Sequence, residues 1–286
     1  MPNHETVISS LHNKFTGGTK DPIHFAFVGD NRHLPHLPAL ILSLEHYHPG
    51  SEYHIMTAPT ANISCIKDVL QDTVSLHFYV DPEPIVPRFF AHRRITEATF
   101  LKISLFKYLP VSKFICLEID MICKGSLRPA WDALDIKAWV AVPNPWFSSL
   151  SEDGIWGEAR EQHFVPGIFA VDKTFYPDFY DRAKEYILSH DLNAQHCEID
   201  SICSIVGNDF YRLPQGYQFC TFFVIDNPNR NERRLEFYLE QCKWNDIVMI
   251  HYGGVHKPWS GKPLYYQEWK KWEQIALAAS LDKELF

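Results

Sequence analysis

Between Ile23 and Asp120 the chain alternates short apolar runs with longer segments of helical periodicity, and this alternation narrows the possible folds more than any other feature. IHFAFVGD (Ile23–Asp30), EYHIMTA (Glu52–Ala58), VSLHFYVD (Val74–Asp81) and KFICLEID (Lys113–Asp120) have the length and the β-branched or aromatic content of strands. LPALILSLEHYHP, ISCIKDVLQD and TEATFLKISLFKYLP lie between them, with helical spacing and proline stops at Pro49 and Pro110. Strand and helix in strict alternation predict an α/β fold with a mostly parallel central sheet covered on both faces.

The second half is more mixed. AWVAVPN and GIFAVD read as strands, FYDRAKEYILSH and EIDSICSIVG as helices, IVMIHYGG as a late strand and PLYYQEWKKWEQIALAASL as a closing helix. Residues 1–21 are polar and contain Gly17-Gly18, which reads as a loose lead-in. No linker or repeat divides the remainder, so residues 22–286 are expected to form a single domain with an irregular C-terminal portion.

Composition excludes several classes. Acidic residues outnumber basic ones, for a formal charge of -8, which argues against binding nucleic acid through phosphate neutralisation. No apolar run has signal-peptide or membrane-span length, so a cytoplasmic location is expected. The seven cysteines are scattered through apolar segments without a CxxC pair, as reduced core thiols would be.

The most informative stretch is CLEIDMICKG, where Glu118 and Asp120 follow an apolar run. In extended chain, residues i and i+2 point the same way, so the two carboxylates converge while Ile119 turns to the core. Ligands of open parallel sheets bind at the carboxyl ends of strands, which is where the pair falls. Two adjacent carboxylates repel unless a cation or donors intervene. Either the strand surfaces and both groups are solvated, or a divalent cation sits against them. Far along the chain, IHYGGVHKPW ends another apolar run with His251, flexible Gly253 and Gly254, and the positive charge of Lys257.

LEIDMICKGSL together with HYGGVHKPW resembles the retaining nucleotide-sugar transferases of glycosyltransferase family 8, whose second motif is His-x-x-Gly-x-x-Lys-Pro-Trp. His251, Gly254, Lys257, Pro258 and Trp259 match each fixed position. The resemblance runs over about residues 23 to 260 and implies a GT-A fold, with transfer of a hexose from a UDP-sugar to a carbohydrate or other hydroxyl acceptor. It implies Mn²⁺, or Mg²⁺, held by Glu118, Asp120 and His251. The UDP-sugar is expected against Asp30, His33, Lys102, Gly254 and Lys257, and Glu198 and Asp200 are the candidate catalytic carboxylates.

Departures from the family pattern are explicit. Glu118 replaces Asp, His33 replaces Tyr, Ile199 replaces Gln, and Val165-Pro166 precede Gly167. They motivate an alternative reading, a relative that binds nucleotide sugar without transferring it. A third reading is donor hydrolysis with no dedicated acceptor. Arg88, His92, Arg93 and Arg94 make a basic stretch suited to a lid over the diphosphate or to a solvated loop. Trp146, Phe147 and Trp156 offer flat faces to an acceptor sugar or pack within their loop. QEWKKWEQ has the composition of a weak membrane-surface contact.

Overall fold

The structure, a computed structural model, describes residues 21–85, 96–144, 164–189, 197–225, 232–254 and 256–284. Arg88, His92, Arg93 and Arg94, and the aromatic residues Trp146, Phe147 and Trp156, lie outside the described residues.

The expected alternation is present: β1 (His24–Gly29), α1 (Leu37–Tyr47), β2 (Glu52–Thr57), α2 (Ser64–Leu70), β3 (Ser75–Val80), α3 (Leu101–Tyr108) and β4 (Lys113–Leu117). There follow β5 (Met121–Cys123), α4 (Arg128–Asp132), β6 (Trp139–Pro143), β7 (Phe164–Asp172), α5 (Phe179–Ser189) and α6 (Cys197–Val206). The chain continues through β8 (Tyr211–Arg212), β9 (Phe219–Cys220), α7 (Thr221–Ile225), α8 (Glu232–Gln241), β10 (Met249–His251) and α9 (Tyr266–Glu284).

The main sheet has the order β3-β2-β1-β4-β7-β6-β8. Its first four strands are parallel, and β7 runs antiparallel to both β4 and β6. A second, three-stranded sheet is ordered β5-β10-β9. Side-chain alternation along β1 divides the core between two faces. Phe25 and Phe27 join the cluster formed with Leu40 and Leu44 of α1, Ile66 of α2 and Trp269 of α9. Ala26 and Val28 join the cluster formed with Ile103 and Phe106 of α3, Phe179 of α5 and Ile202 of α6. Helices therefore cover both faces, as the alternation implied.

Two readings of the chain need correction or refinement here. KFICLEID does not stay extended to its end: β4 stops at Leu117, and Glu118 to Asp120 form the bend into β5. In QEWKKWEQ, Trp269 and Trp272 are buried in the core rather than presented outward, because α9 packs its indoles over α1. Among the described residues no helix is long and apolar enough to cross a membrane. The described cysteines are free thiols, and burial pushes Cys116, Cys123, Cys203 and Cys242 up to about 12.

Histidine burial gives the fold a pH signature. His48, 7% exposed, accepts the Leu127 backbone N–H at Nε2 (2.9 Å). Burial first, and then the Arg128 guanidinium, pushes its pKa down to about 4. The unfolded chain binds this proton near pH 6.5 and the folded chain does not, so this contribution is present above that value and is lost as pH falls. The expected loss for this group is about 2 kcal/mol between pH 7 and pH 5. Urea midpoints at the two pH values should differ less in His48→Gln than in the native chain.

Candidate active site

Two chain segments 131 residues apart meet at the end of β4. The β4 ladder persists one residue past the strand, where the Glu118 backbone N–H donates to the Gly167 carbonyl (3.0 Å). The bend then carries Asp120 into β5, and antiparallel pairing sets His251 of β10 opposite Met121. The Tyr252 N–H donates to the Asp120 carbonyl (2.8 Å), which fixes that register at the site itself. His251 Nε2 consequently lies 2.9 Å from Glu118 Oε2 and 3.3 Å from Asp120 Oδ1. Ile119 points to the core at 4% exposure, although the bend, and not extended chain, brings Glu118 and Asp120 together.

Two lysines complete the charge balance. Lys102, on α3 and 1% exposed, donates to Glu118 Oε1 (2.6 Å) and Glu198 Oε1 (2.7 Å). Lys257 donates to Asp120 Oδ2 and to the Tyr252 carbonyl. Burial alone would lift both carboxyl pKa values. Lys102 and His251 nevertheless hold Glu118 well below the usual carboxylate range, and Lys257 and His251 bring Asp120 down to about 2. Burial opposes the charge on Lys102 in the same way, and Glu118 and Glu198 hold its pKa above the ordinary lysine value.

His251 is held from behind. Gln218, 2% exposed, accepts the Ile168 backbone N–H at Oε1 (3.1 Å), which turns its amide nitrogen towards His251 Nδ1 (3.0 Å). A Cβ on Gly167 would lie 2.4 Å from that amide nitrogen and 2.9 Å from the imidazole, so only glycine lets β7 approach this closely. Gly254 has φ +89°, a backbone region that disfavours side chains, and it turns the chain from β10 towards Lys257. The local sequence does not mark Gln218 as a neighbour of His251. Its buried place behind His251 depends on β9 lying beside β10, a pairing the local letters do not disclose.

The other expected residues fall nearby. His33 lines a cavity of about 150 Å³ together with Gly29, Thr99, Lys102, Asp120 and Lys257. Asp30 stands behind it and binds the His33 ring Nδ1 at 2.8 Å and the Arg32 N–H at 3.0 Å through Oδ1. Burial favours a protonated Asp30, but its bonds to His33 and Thr96 hold it below the usual carboxylate range. Trp259 of the Lys-Pro-Trp motif stacks on His36 at 4.1 Å and meets His33 edge-on, tying the β1–α1 turn to the C-terminal motif. A larger cavity of about 700 Å³ opens at the other end of the strands, past Ile23, Glu52 and Ser75, and contains none of the site residues.

Glu198 and Asp200 separate. Residues two apart on a helix are rotated by about 200°, so they cannot face one target. Glu198 is 3% exposed and reaches Lys102, whereas half-buried Asp200 acts electrostatically on Tyr186 of α5. Ile199 packs against the core cluster of α3, α5 and α6.

The donor set fits a dication. Glu118, Asp120 and His251 each offer one ligand atom, all within 4.8 Å of one another, and two carboxylate oxygens with one imidazole suit Mn²⁺ or Mg²⁺. Burial opposes a charge on His251, but Asp120 holds its pKa well above the ordinary histidine value. Without an ion, three carboxylates therefore balance two ammonium groups and one imidazolium. A dication in place of the imidazolium proton leaves the cluster one positive charge.

The sequence profile of glycosyl transferase family 8 matches residues 24–262. The chain belongs to that family. Its fold is GT-A, shared with the galactosyltransferase LgtC solved in complex with donor and acceptor sugar analogs. That structure is 16% identical, with a TM-score of 0.71 over 90% of this chain and 96% of that one. The glycosyltransferase GlyE of Streptococcus pneumoniae TIGR4 is also similar, at 16% identity in its apo form, with a TM-score of 0.63 over 91% of this chain and 63% of that one. Mouse xyloside xylosyltransferase 1 is more distant, at 11% identity and a TM-score of 0.54 over 81% and 97% of the two chains. No curated protein matches the sequence.

Proposed function

We propose that this family 8 glycosyltransferase moves a hexose from a UDP-sugar to a carbohydrate or other hydroxyl acceptor with retention of anomeric configuration. The observation that carries the reading is the meeting of Glu118, Asp120 and His251 around one point, flanked by two lysines. Glu118, Asp120 and His251 would hold a divalent ion, which supplies charge neutralisation for a departing diphosphate. Lys257, partly exposed beside Asp120, is placed to meet that diphosphate as a fixed positive charge. Lys102 keeps Glu118 ionised and in position, and Glu198 acts through Lys102 rather than on substrate. Gln218 backs the His251 ring, with its amide nitrogen 3.0 Å from Nδ1. His33 and the walls of the small cavity are assigned to the nucleotide, where Asp30 fixes the ring.

Release of UDP from a panel of UDP-sugars, with Mn²⁺ and with a chelator, tests this directly. Turnover that requires the ion supports transfer or hydrolysis, and a sugar product on an added acceptor separates the two. Tight UDP binding without turnover on any donor would favour the binding-only reading, for which Ile199 in the core is the motivating observation.

A further inference from the structure

A second group of metal-binding side chains lies far from the site described above. β1 opens with His24, β2 carries Glu52 and His54, and β3 carries His77 and Tyr79. Parallel pairing sets His24 opposite Glu52, and His54 opposite His77. Side chains two apart on a strand share a face, and neighbouring strands are only about 4.8 Å apart, so these groups converge at the start of the strands. His24 stands five residues before Gly29, which places the group roughly 16 Å along the strand from the cavity lined by Gly29 and Lys102.

We propose that His24, Glu52 and His54 form a binding site for a Zn²⁺-class transition-metal dication. The ligand atoms are His24 Nδ1, His54 Nε2 and Glu52 Oε2, separated by 3.0, 3.4 and 4.0 Å. A tetrahedral ion bonded at about 2.0–2.1 Å spaces its ligand atoms about 3.3 Å apart, so this triangle is close to the face such an ion caps. Two imidazole nitrogens facing each other at 3.0 Å have room for one proton between them, and an ion takes that place. The other nitrogen of His54 faces the Tyr79 hydroxyl (3.1 Å), an outer partner of the kind that orients a ligating histidine. His77 stacks on His54 and brings Nε2 within 3.4 Å of the same Glu52 oxygen, at the open rim. His54 is 2% exposed, whereas His24 and Glu52 are 21% and 34% exposed, which leaves one side open for an ion to enter.

The test is Zn²⁺ titration against a chromophoric chelator, with Co²⁺ absorption as a second readout, on the full chain. Asp120→Asn combined with His251→Gln serves as the background, so that the other cluster does not compete. That background should still bind one equivalent of Zn²⁺. Adding His24→Gln or Glu52→Gln, both at accessible positions, should weaken this binding at least about 100-fold, and Tyr79→Phe should weaken it about 10-fold. Zn²⁺ should also raise the Tm of the background but not of the His24→Gln chain. A background chain that binds no Zn²⁺, or Zn²⁺ and Co²⁺ binding unchanged by His24→Gln and Glu52→Gln, would overturn the proposal.

Discussion

Asp120→Asn should lower kcat/KM for sugar transfer by about 1000-fold, the upper range for removing one group that stabilises a developing charge. The substitution keeps the side-chain shape and the contact with Lys257 while removing the formal charge. Asp120 is the carboxylate most committed to the site: it is 7% exposed, with Oδ1 facing His251 and Oδ2 accepting from Lys257. The fold should survive, because the Lys257 side chain is 27% exposed and water can solvate its ammonium when the partner charge is lost. Steady-state UDP release with saturating Mn²⁺, beside a circular dichroism melt, separates lost chemistry from lost structure. A variant that keeps a tenth of native activity would remove Asp120 from the proposed ion site.

Lys102→Met should destabilise the folded chain by about 3–5 kcal/mol at pH 8, the cost of leaving buried charge without its partner. Lys102 is almost wholly enclosed, and it separates two carboxylates that would otherwise face each other. The deficit should depend on pH in a definite direction. In the native chain Glu118 lies below the usual carboxylate range, so its contribution is present above the unfolded pKa and is lost as pH falls through the folded one. In the variant Glu118 keeps only His251 beside it, so its pKa rises relative to the native chain and protonation on acidification relieves part of the unpaired charge. Urea denaturation should therefore show a larger gap between the two chains at pH 8 than at pH 5. A gap that is small, or equal at both pH values, would mean that Lys102 does not carry this charge balance.

Much of the frame was legible in the letters because the signals were local. Apolar runs of strand length and proline-stopped helical segments placed each element from β1 to β4 within a few residues. The meeting of Glu118, Asp120 and His251 was implied by the resemblance of LEIDMICKGSL and HYGGVHKPW to the family 8 motifs. What the letters did not disclose was strand direction and partnership. Nothing in GIFAVD distinguishes a strand antiparallel to β4 from a parallel one, and Met121–Cys123 is too short to signal that β10 pairs there. That pairing places His251, and the neighbouring β9 places Gln218 behind it. The contact of Glu198 with Lys102 was not legible: only helical phase and the burial of Lys102 show that it meets an ammonium while Asp200 turns away. The bonds of Asp30 to the His33 ring and the turn N–H groups were hidden for a similar reason, since they depend on the backbone geometry of the β1–α1 turn.

Anomalous diffraction at the manganese edge, from crystals grown with Mn²⁺ and UDP, tests the central claim most directly. The account predicts one strong peak within roughly 2.3 Å of a carboxylate oxygen of Asp120, a carboxylate oxygen of Glu118 and Nε2 of His251, with the diphosphate on its open side. Bound UDP with no peak there, or with its diphosphate on manganese held by other side chains, would contradict it.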